Sequence, residues 1–281
     1  MSLPPGARDA RPVGGGDINE AFRVRLGDGR EAFVKTRADA AAGEYAAEAA
    51  GLEWLAEPGA LRVPRVLDVD DGYLALEWIE PGRLGADGEE ELGRGLAAVH
   101  RAGAPRFGRF AEDEAGAGAG AATFGSLRLS NEPTQDWPTF YAERRLRPLA
   151  KRAREAGVLG EVGLRALDRV CERVAELAGP SEPPARLHGD LWSGNVLADA
   201  DGRPWLIDPS AYGGHREVDL AMLALFGSPA HTIAAYREVA PLAEGWSERV
   251  GLYQLLPLLV HALLFGGSYR GAAERTAQRY A

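Results

Sequence analysis

The stretch Leu187-His188-Gly189-Asp190-Leu191-Trp192-Ser193-Gly194-Asn195-Val196-Leu197, closed by Leu206-Ile207-Asp208-Pro209, constrains this chain more than any other. Val196-Leu197 runs into the polar turn Asp199-Ala200-Asp201-Gly202-Arg203, and Pro204-Trp205-Leu206-Ile207 returns as a second apolar strand. The segment reads strand, turn, strand. Closing that hairpin brings Asp208 back beside Asn195, so two carboxylates and one carboxamide gather in a fixed order.

Phosphoryl transfer from a nucleotide needs such a set. A carboxylate must orient the acceptor hydroxyl and take its proton, and oxygen ligands must hold magnesium on the phosphates. Magnesium keeps several waters and takes few protein groups, so one carboxylate and one carboxamide are enough. Asp190 is the candidate base, and Asn195 and Asp208 are the candidate Mg2+ ligands. The order resembles that of protein kinases, with His-Gly-Asp for His-Arg-Asp and Asp-Pro-Ser for Asp-Phe-Gly. A β-hairpin with acidic turn residues would contain the same residue types; the front half of the chain weighs against it.

Arg11 to Thr36 is expected to form three strands. Gly14-Gly15-Gly16 makes a turn between the first two, Phe22, Val24 and Leu26 alternate with Arg23 and Arg25, and Ala32-Phe33-Val34-Lys35 ends on a lysine. Glycines let backbone N–H groups approach phosphates closely, and a lysine adds a point charge. Gly15, Gly16 and Lys35 are therefore candidate nucleotide contacts. Either signal alone would describe an ordinary loop or a solvated strand edge.

Ala38 to Glu57 is expected to be helical, with Tyr45, Ala49, Leu52 and Leu55 on one face and Pro58-Gly59 as the stop. Glu48 shares that inward face and needs a partner. Lys35 is the natural one; Glu44, a turn earlier, is the competing choice. Two further strands, Val66–Asp70 and Tyr73–Ile79, lead through Glu77-Trp78-Ile79 to the break Pro81-Gly82. Glu77, Trp78 and Ile79 would then form a hinge whose backbone meets an adenine, with Trp78 equally suited to a core or rim position. The boundary between residues 1–80 and 81–281 falls there.

The remainder reads as mainly helical. Leu92, Leu96 and Val99 face inward on Glu89–Arg101, with His100 in a capping or packing role. Ala111–Ala122 is Gly/Ala-rich and acidic, a candidate loop or lid. Trp137–Ala156 reads as one helix whose arginines face solvent or an acidic neighbour, and Leu164–Ala178 as another. His215, Arg216, Glu217 and Asp219 open a helix entering the core, where a carboxylate is favoured by the dipole, so capping is the default for Asp219.

The net charge of −9 provides no basic stripe for nucleic acid. Cys171 is the sole cysteine, so no internal disulfide forms, and a cytoplasmic setting is expected. Met1 to Gly6 holds no apolar run of a signal peptide, and Leu252–Phe265 is too short and interrupted to span a membrane.

LHGDLWSGNVL, DPSAYGGHREVDLAM, ERRLRPLAKRA, LYQLLPLLVHALLFGGSYRGAAER and VGGGDINEAFRV with AFVKT together resemble the fructosamine kinase (ketosamine-3-kinase) family, which lies within the aminoglycoside-phosphotransferase-like group. The resemblance covers nearly the whole chain. It implies an α+β, bilobal protein-kinase-like fold, with a small antiparallel sheet lobe carrying one helix and a larger, mainly helical lobe. It also implies ATP- and Mg2+-dependent phosphorylation of a sugar hydroxyl on a ketosamine, an amine such as lysine that has been glycated, followed by release of the amine. Residue by residue, it implies Asp190 as proton acceptor and Asn195 and Asp208 as magnesium ligands. Lys35 and Glu48 match the phosphate-anchoring pair, and Glu77 to Ile79 the hinge. Trp192, His215 and Glu217 are substrate candidates, each with a structural alternative. A phosphotransferase for an aminoglycoside, choline or homoserine-like acceptor would keep the same trio. A non-catalytic nucleotide-binding module would be expected to have lost one of the four residues Lys35, Asp190, Asn195 and Asp208.

Overall fold

The computed structural model describes residues 2–14, 19–111, 120–227 and 230–281. β1 (Arg8–Pro12), β2 (Glu20–Arg25), β3 (Glu31–Thr36), β4 (Val66–Asp70) and β5 (Tyr73–Glu77) form one antiparallel sheet in the order β1-β2-β3-β5-β4. Lys35 pairs with Ala21 on one side and Leu74 on the other, which places it on an inner strand. β5 ends at Glu77, two residues short of the expected end. The expected turn residues Gly15 and Gly16 lie outside the described residues.

α1 (Glu44–Ala56) crosses between β3 and β4. It begins six residues later than expected, because Gly43 takes a left-handed φ of 74° that a continuing helix excludes. Tyr45, Ala49, Leu52 and Leu55 are buried as their spacing predicts. They share a core with Leu74 and Leu76 of the sheet and with Leu92 and Leu96 of α2 (Ala86–Ala102). Leu191 and Leu206, which flank Asp190 and Asp208 in the sequence, belong to the same cluster, so one core joins the sheet to the site.

β6 (Ala121–Phe124) and β7 (Leu127–Ser130) form a hairpin. The last two residues of the expected loop are therefore strand, and residues 112–119 lie outside the described ones. The arginine-rich segment is also not one α-helix: α3 (Trp137–Phe140) and α4 (Arg147–Glu155) flank a π-helical turn at Tyr141–Leu146. Pro148 has no N–H for the Arg144 carbonyl, and the Arg145 guanidinium takes its place at 3.1 Å. Arg145 is fully buried, in place of the expected face toward solvent or an acidic neighbour. It reaches the Ser130 carbonyl and the Asn131 side chain and lies 4.1 Å over the Tyr212 ring.

α5 (Glu161–Leu177) precedes the short strand β8 (Ala185–Leu187). The hairpin β9 (Val196–Ala198) and β10 (Pro204–Leu206) follows, then β11 (Tyr212–Gly214), which pairs with β8. α6 (Glu217–Leu223), α7 (Ala230–Val239), α8 (Trp246–Leu264) and α9 (Ser268–Tyr280) complete the chain, and α5, α8 and α9 enclose the largest core. Among the described residues no helix is long and apolar enough to cross a membrane.

Candidate active site

β8 runs directly into His188-Gly189-Asp190, and its partner β11 follows Asp208-Pro209-Ser210-Ala211. Both carboxylates therefore hang from neighbouring strands of one ribbon. Gly189 holds φ at 85°, and a Cβ there would stand 2.1 Å from the Ser210 carbonyl oxygen. No side chain fits where protein kinases carry arginine.

The loop is held from beneath. Asp219 is completely buried, and its two oxygens accept the backbone N–H groups of His188 at 2.8 Å and Gly189 at 2.9 Å. It also meets His100 Nε2 at 3.1 Å, and His100 Nδ1 meets the Tyr236 hydroxyl at 2.9 Å. Asp219 thus holds the loop rather than capping its own helix, and His100 is a packed network residue. The sequence did carry a signal: a carboxylate inside the apolar run Val218 to Met222 requires a buried partner. His188 Nε2 donates to the Ile207 carbonyl at 2.9 Å, and its Nδ1 accepts the Asp190 N–H at 3.3 Å. Burial lowers the His188 pKa against the pull of Asp219, and so favours the neutral ring that this pattern requires.

Asn195 Nδ2 donates to the Asp190 carbonyl at 2.8 Å and to Asp190 Oδ2 at 3.1 Å, and approaches the Asp208 carbonyl at 3.5 Å. These contacts occupy the amide Nδ2 and leave Oδ1 as the side chain's acceptor atom. Asp208 takes a left-handed φ of 53°, one of two non-glycine residues with positive φ among those described. Asp tolerates this conformation better than most residues, and such positions concentrate at functional sites. Its Oδ1 lies 2.9 Å from Lys35 Nζ, and its side chain stays 46% exposed. A hard cation needs oxygen donors, an open side and room for water and phosphate. Asp208 and Asn195 Oδ1 fit that demand. No cluster of three or more His, Cys, Asp or Glu ligands occurs among the described residues.

Lys35, 5% exposed, also forms an ion pair with Glu48. The competing Glu44 is occupied by Arg37 at 2.8 Å. Burial alone would lower the Lys35 pKa, but Asp208 and Glu48 outweigh it and hold the ammonium protonated. Burial pushes Glu48 up to about 7 despite Lys35, and its Oε1 is buried without a hydrogen-bond partner. Burial would likewise raise Asp208, but Lys35 keeps it below the usual carboxylate range. Asp190 is pushed up to about 7 by burial; the Asn195 hydrogen bond opposes this, and Asp208 and Asp219 add to it. A carboxylate with raised proton affinity suits a general base.

The remaining candidates separate. Glu77 is bound to Arg65 through its side chain at 2.5 Å and through its N–H, which donates to the Arg65 carbonyl at 2.9 Å. Trp78 donates to Glu80 at 2.9 Å and lies under the Arg23 guanidinium at 4.4 Å, and Ile79 is half-buried beside it. Trp192 is 38% exposed and meets Phe226 edge-on at 5.7 Å. Phe124, Met222, Leu256, Val260 and His261 line an apolar recess beside Asp190. His215 and Glu217, the other two substrate candidates, are both buried. His215 is buried against Tyr253, and both Glu217 oxygens are taken by Arg249 at 2.6 and 2.9 Å.

The family model described as fructosamine kinase matches residues 4–281. A "probable ketoamine kinase" from Thermus thermophilus is 38% identical over 267 residues, covering 95% of this chain and 92% of the relative. A solved "putative fructosamine-3-kinase" from Thermobifida fusca is 43% identical, with a TM-score of 0.88, covering 98% of this chain and 93% of the other. The choline kinase LicA from Streptococcus pneumoniae, at 17% identity and a TM-score of 0.61 over 98% of this chain and 94% of its own, shares the protein-kinase-like fold.

Proposed function

The chain belongs to the fructosamine kinase family, and on that premise we propose that it transfers the γ-phosphoryl group of ATP to a sugar hydroxyl of a ketosamine. The phosphorylated adduct then breaks down and frees the amine. The observation that carries this reading is the meeting of Lys35 with both Glu48 and Asp208, beside an Asn195 tied to Asp190 at 3.1 Å. A nucleotide would lie between residues 1–80 and 81–281, with its base against the backbone of Glu77, Trp78 and Ile79. Gly15 and Gly16 would border its phosphates.

The roles follow from the chemistry. Lys35, held by Glu48, places a fixed positive charge on the phosphates. Asp190 accepts the proton of the acceptor hydroxyl as its oxygen bonds to the γ-phosphorus and the bond to the leaving ADP oxygen breaks. Asn195 keeps Asp190 in place through Nδ2 and offers Oδ1, with Asp208, to Mg2+. When bound, Mg2+ neutralises charge on the phosphate oxygens. Trp192 flanks the acceptor and offers a ring face to a sugar.

Mass spectrometry of reactions containing ATP, Mg2+ and either fructosyl-lysine, ribulosyl-lysine, kanamycin, choline or homoserine tests the reading. A gain of one phosphate on a ketosamine is expected. A gain on kanamycin, choline or homoserine alone would replace the acceptor class while keeping the phosphotransfer.

A further inference from the structure

Glu48 and Asp208 reach Lys35 from two separate elements, α1 and the loop ahead of β11. Their agreement depends on how α1 is fastened to the β8–β11 ribbon. Midway along α1, Gly51 packs on the residues that follow Asp208: an added Cβ would lie 3.1 Å from Ala211 Cβ and 3.6 Å from Pro209 Cγ. At the end of α1 the fastening is Arg186, which sits in β8 opposite Gly213. Its Nη1 donates to the Trp54 carbonyl and pairs with Glu57 at 2.8 Å. Its guanidinium lies 4.5 Å over the Trp54 ring, which stacks on Phe110 at 4.6 Å.

The last carbonyls of a helix lack partners within it, and a cation there is favoured by the helix dipole. α1 has no basic residue in its own last turn. The cation comes instead from β8, the strand that leads to Asp190. Arg186 is only 9% exposed, and a guanidinium so placed is tolerated only with its partners in position.

We infer that Arg186 is a positioning residue for the Lys35–Glu48 pair. It bolts α1 to the ribbon that carries Asp190 and Asp208, so Glu48 is set against Lys35 by the fold itself. The inference rests on reading Lys35 and Glu48 as the nucleotide anchor.

Calorimetric binding of ATP with Mg2+ tests it through a double-mutant cycle. Arg186→Met keeps the aliphatic stem over Trp54 and is expected to weaken ATP binding about tenfold in the full chain. In a Glu48→Gln background the same change should alter binding less than about twofold, because both substitutions act through one contact. A general loosening of the fold would add its full effect to that of Glu48→Gln. The inference is overturned if Arg186→Met binds ATP like the wild type, or if its effect persists undiminished beside Glu48→Gln. Should Arg186→Met fail to fold, Glu57→Gln, at the exposed end of the same ion pair, is read in the same cycle with an expected effect of about threefold. Absence of ATP binding by the wild-type protein would overturn the nucleotide reading and this inference with it, and is distinguished by that control alone.

Discussion

Behind Asp190, backbone N–H groups end on a fully buried carboxylate, Asp219, which is itself met by His100 and through it by Tyr236. In front of Asp190 the groups are aromatic and partly open: Trp192 is 38% exposed, and Phe226 links it to His261, which in turn meets Phe265, 54% exposed. The first region leaves the loop one position. The second offers ring faces that adjust without stranding a polar atom. Reacting atoms require fixed geometry, because an ångström of misplacement removes most of the rate. Acceptor contacts need only enough surface to hold adducts of related shape. The contrast predicts that substitutions behind Asp190 act on kcat and stability, and those in front on the KM of the acceptor.

The largest effect is expected between the two regions, at the proposed metal ligand. Asp208→Asn should lower kcat by roughly 10² to 10³, since it removes charge from a site built to stabilise charge. Steady-state rates across a magnesium titration check this; an unchanged rate with unchanged magnesium dependence would remove Asp208 from the metal role. Asp219→Ala leaves two buried N–H groups unpaired and should destabilise the protein by about 3 kcal/mol, read as a lower urea midpoint. A midpoint within error of the wild type would show that the loop is held by something else.

On the open side, Trp192→Ala should raise the KM of the acceptor about tenfold with kcat and the KM of ATP unchanged. A fall in kcat at constant KM would move Trp192 into the closed region and blur the contrast. Phe265→Ser, at the outer rim, should change stability by less than about 0.5 kcal/mol, as surface substitutions do. Thermal melting would reveal a larger loss and place Phe265 in the core instead.

Legibility in the sequence divides along similar lines. Periodicity and turn chemistry carry the sheet, α1, the β9–β10 hairpin and the trio Asp190, Asn195 and Asp208, because each is local or a short hairpin apart. Lys35 with Glu48 was readable because an inward carboxylate demands a partner. What escaped depends on long-range closure. Asp219 binds a loop 30 residues away, and Arg186 reaches Glu57 across 129 residues. Arg145 looked like one of several solvated arginines until Pro148 opened the helix beside it and aromatic rings enclosed it. The pairing of Glu217 with Arg249, 32 residues on, escaped in the same way.

The central claim is that Asp190 removes the acceptor proton from a rigid position. It is tested most directly by kcat and KM for fructosyl-lysine and ATP in Asp190→Asn, which keeps the side-chain shape. The account predicts a fall in kcat of at least about 10², with both KM values within about threefold of the wild type. Full turnover by Asp190→Asn would contradict it and place the base elsewhere.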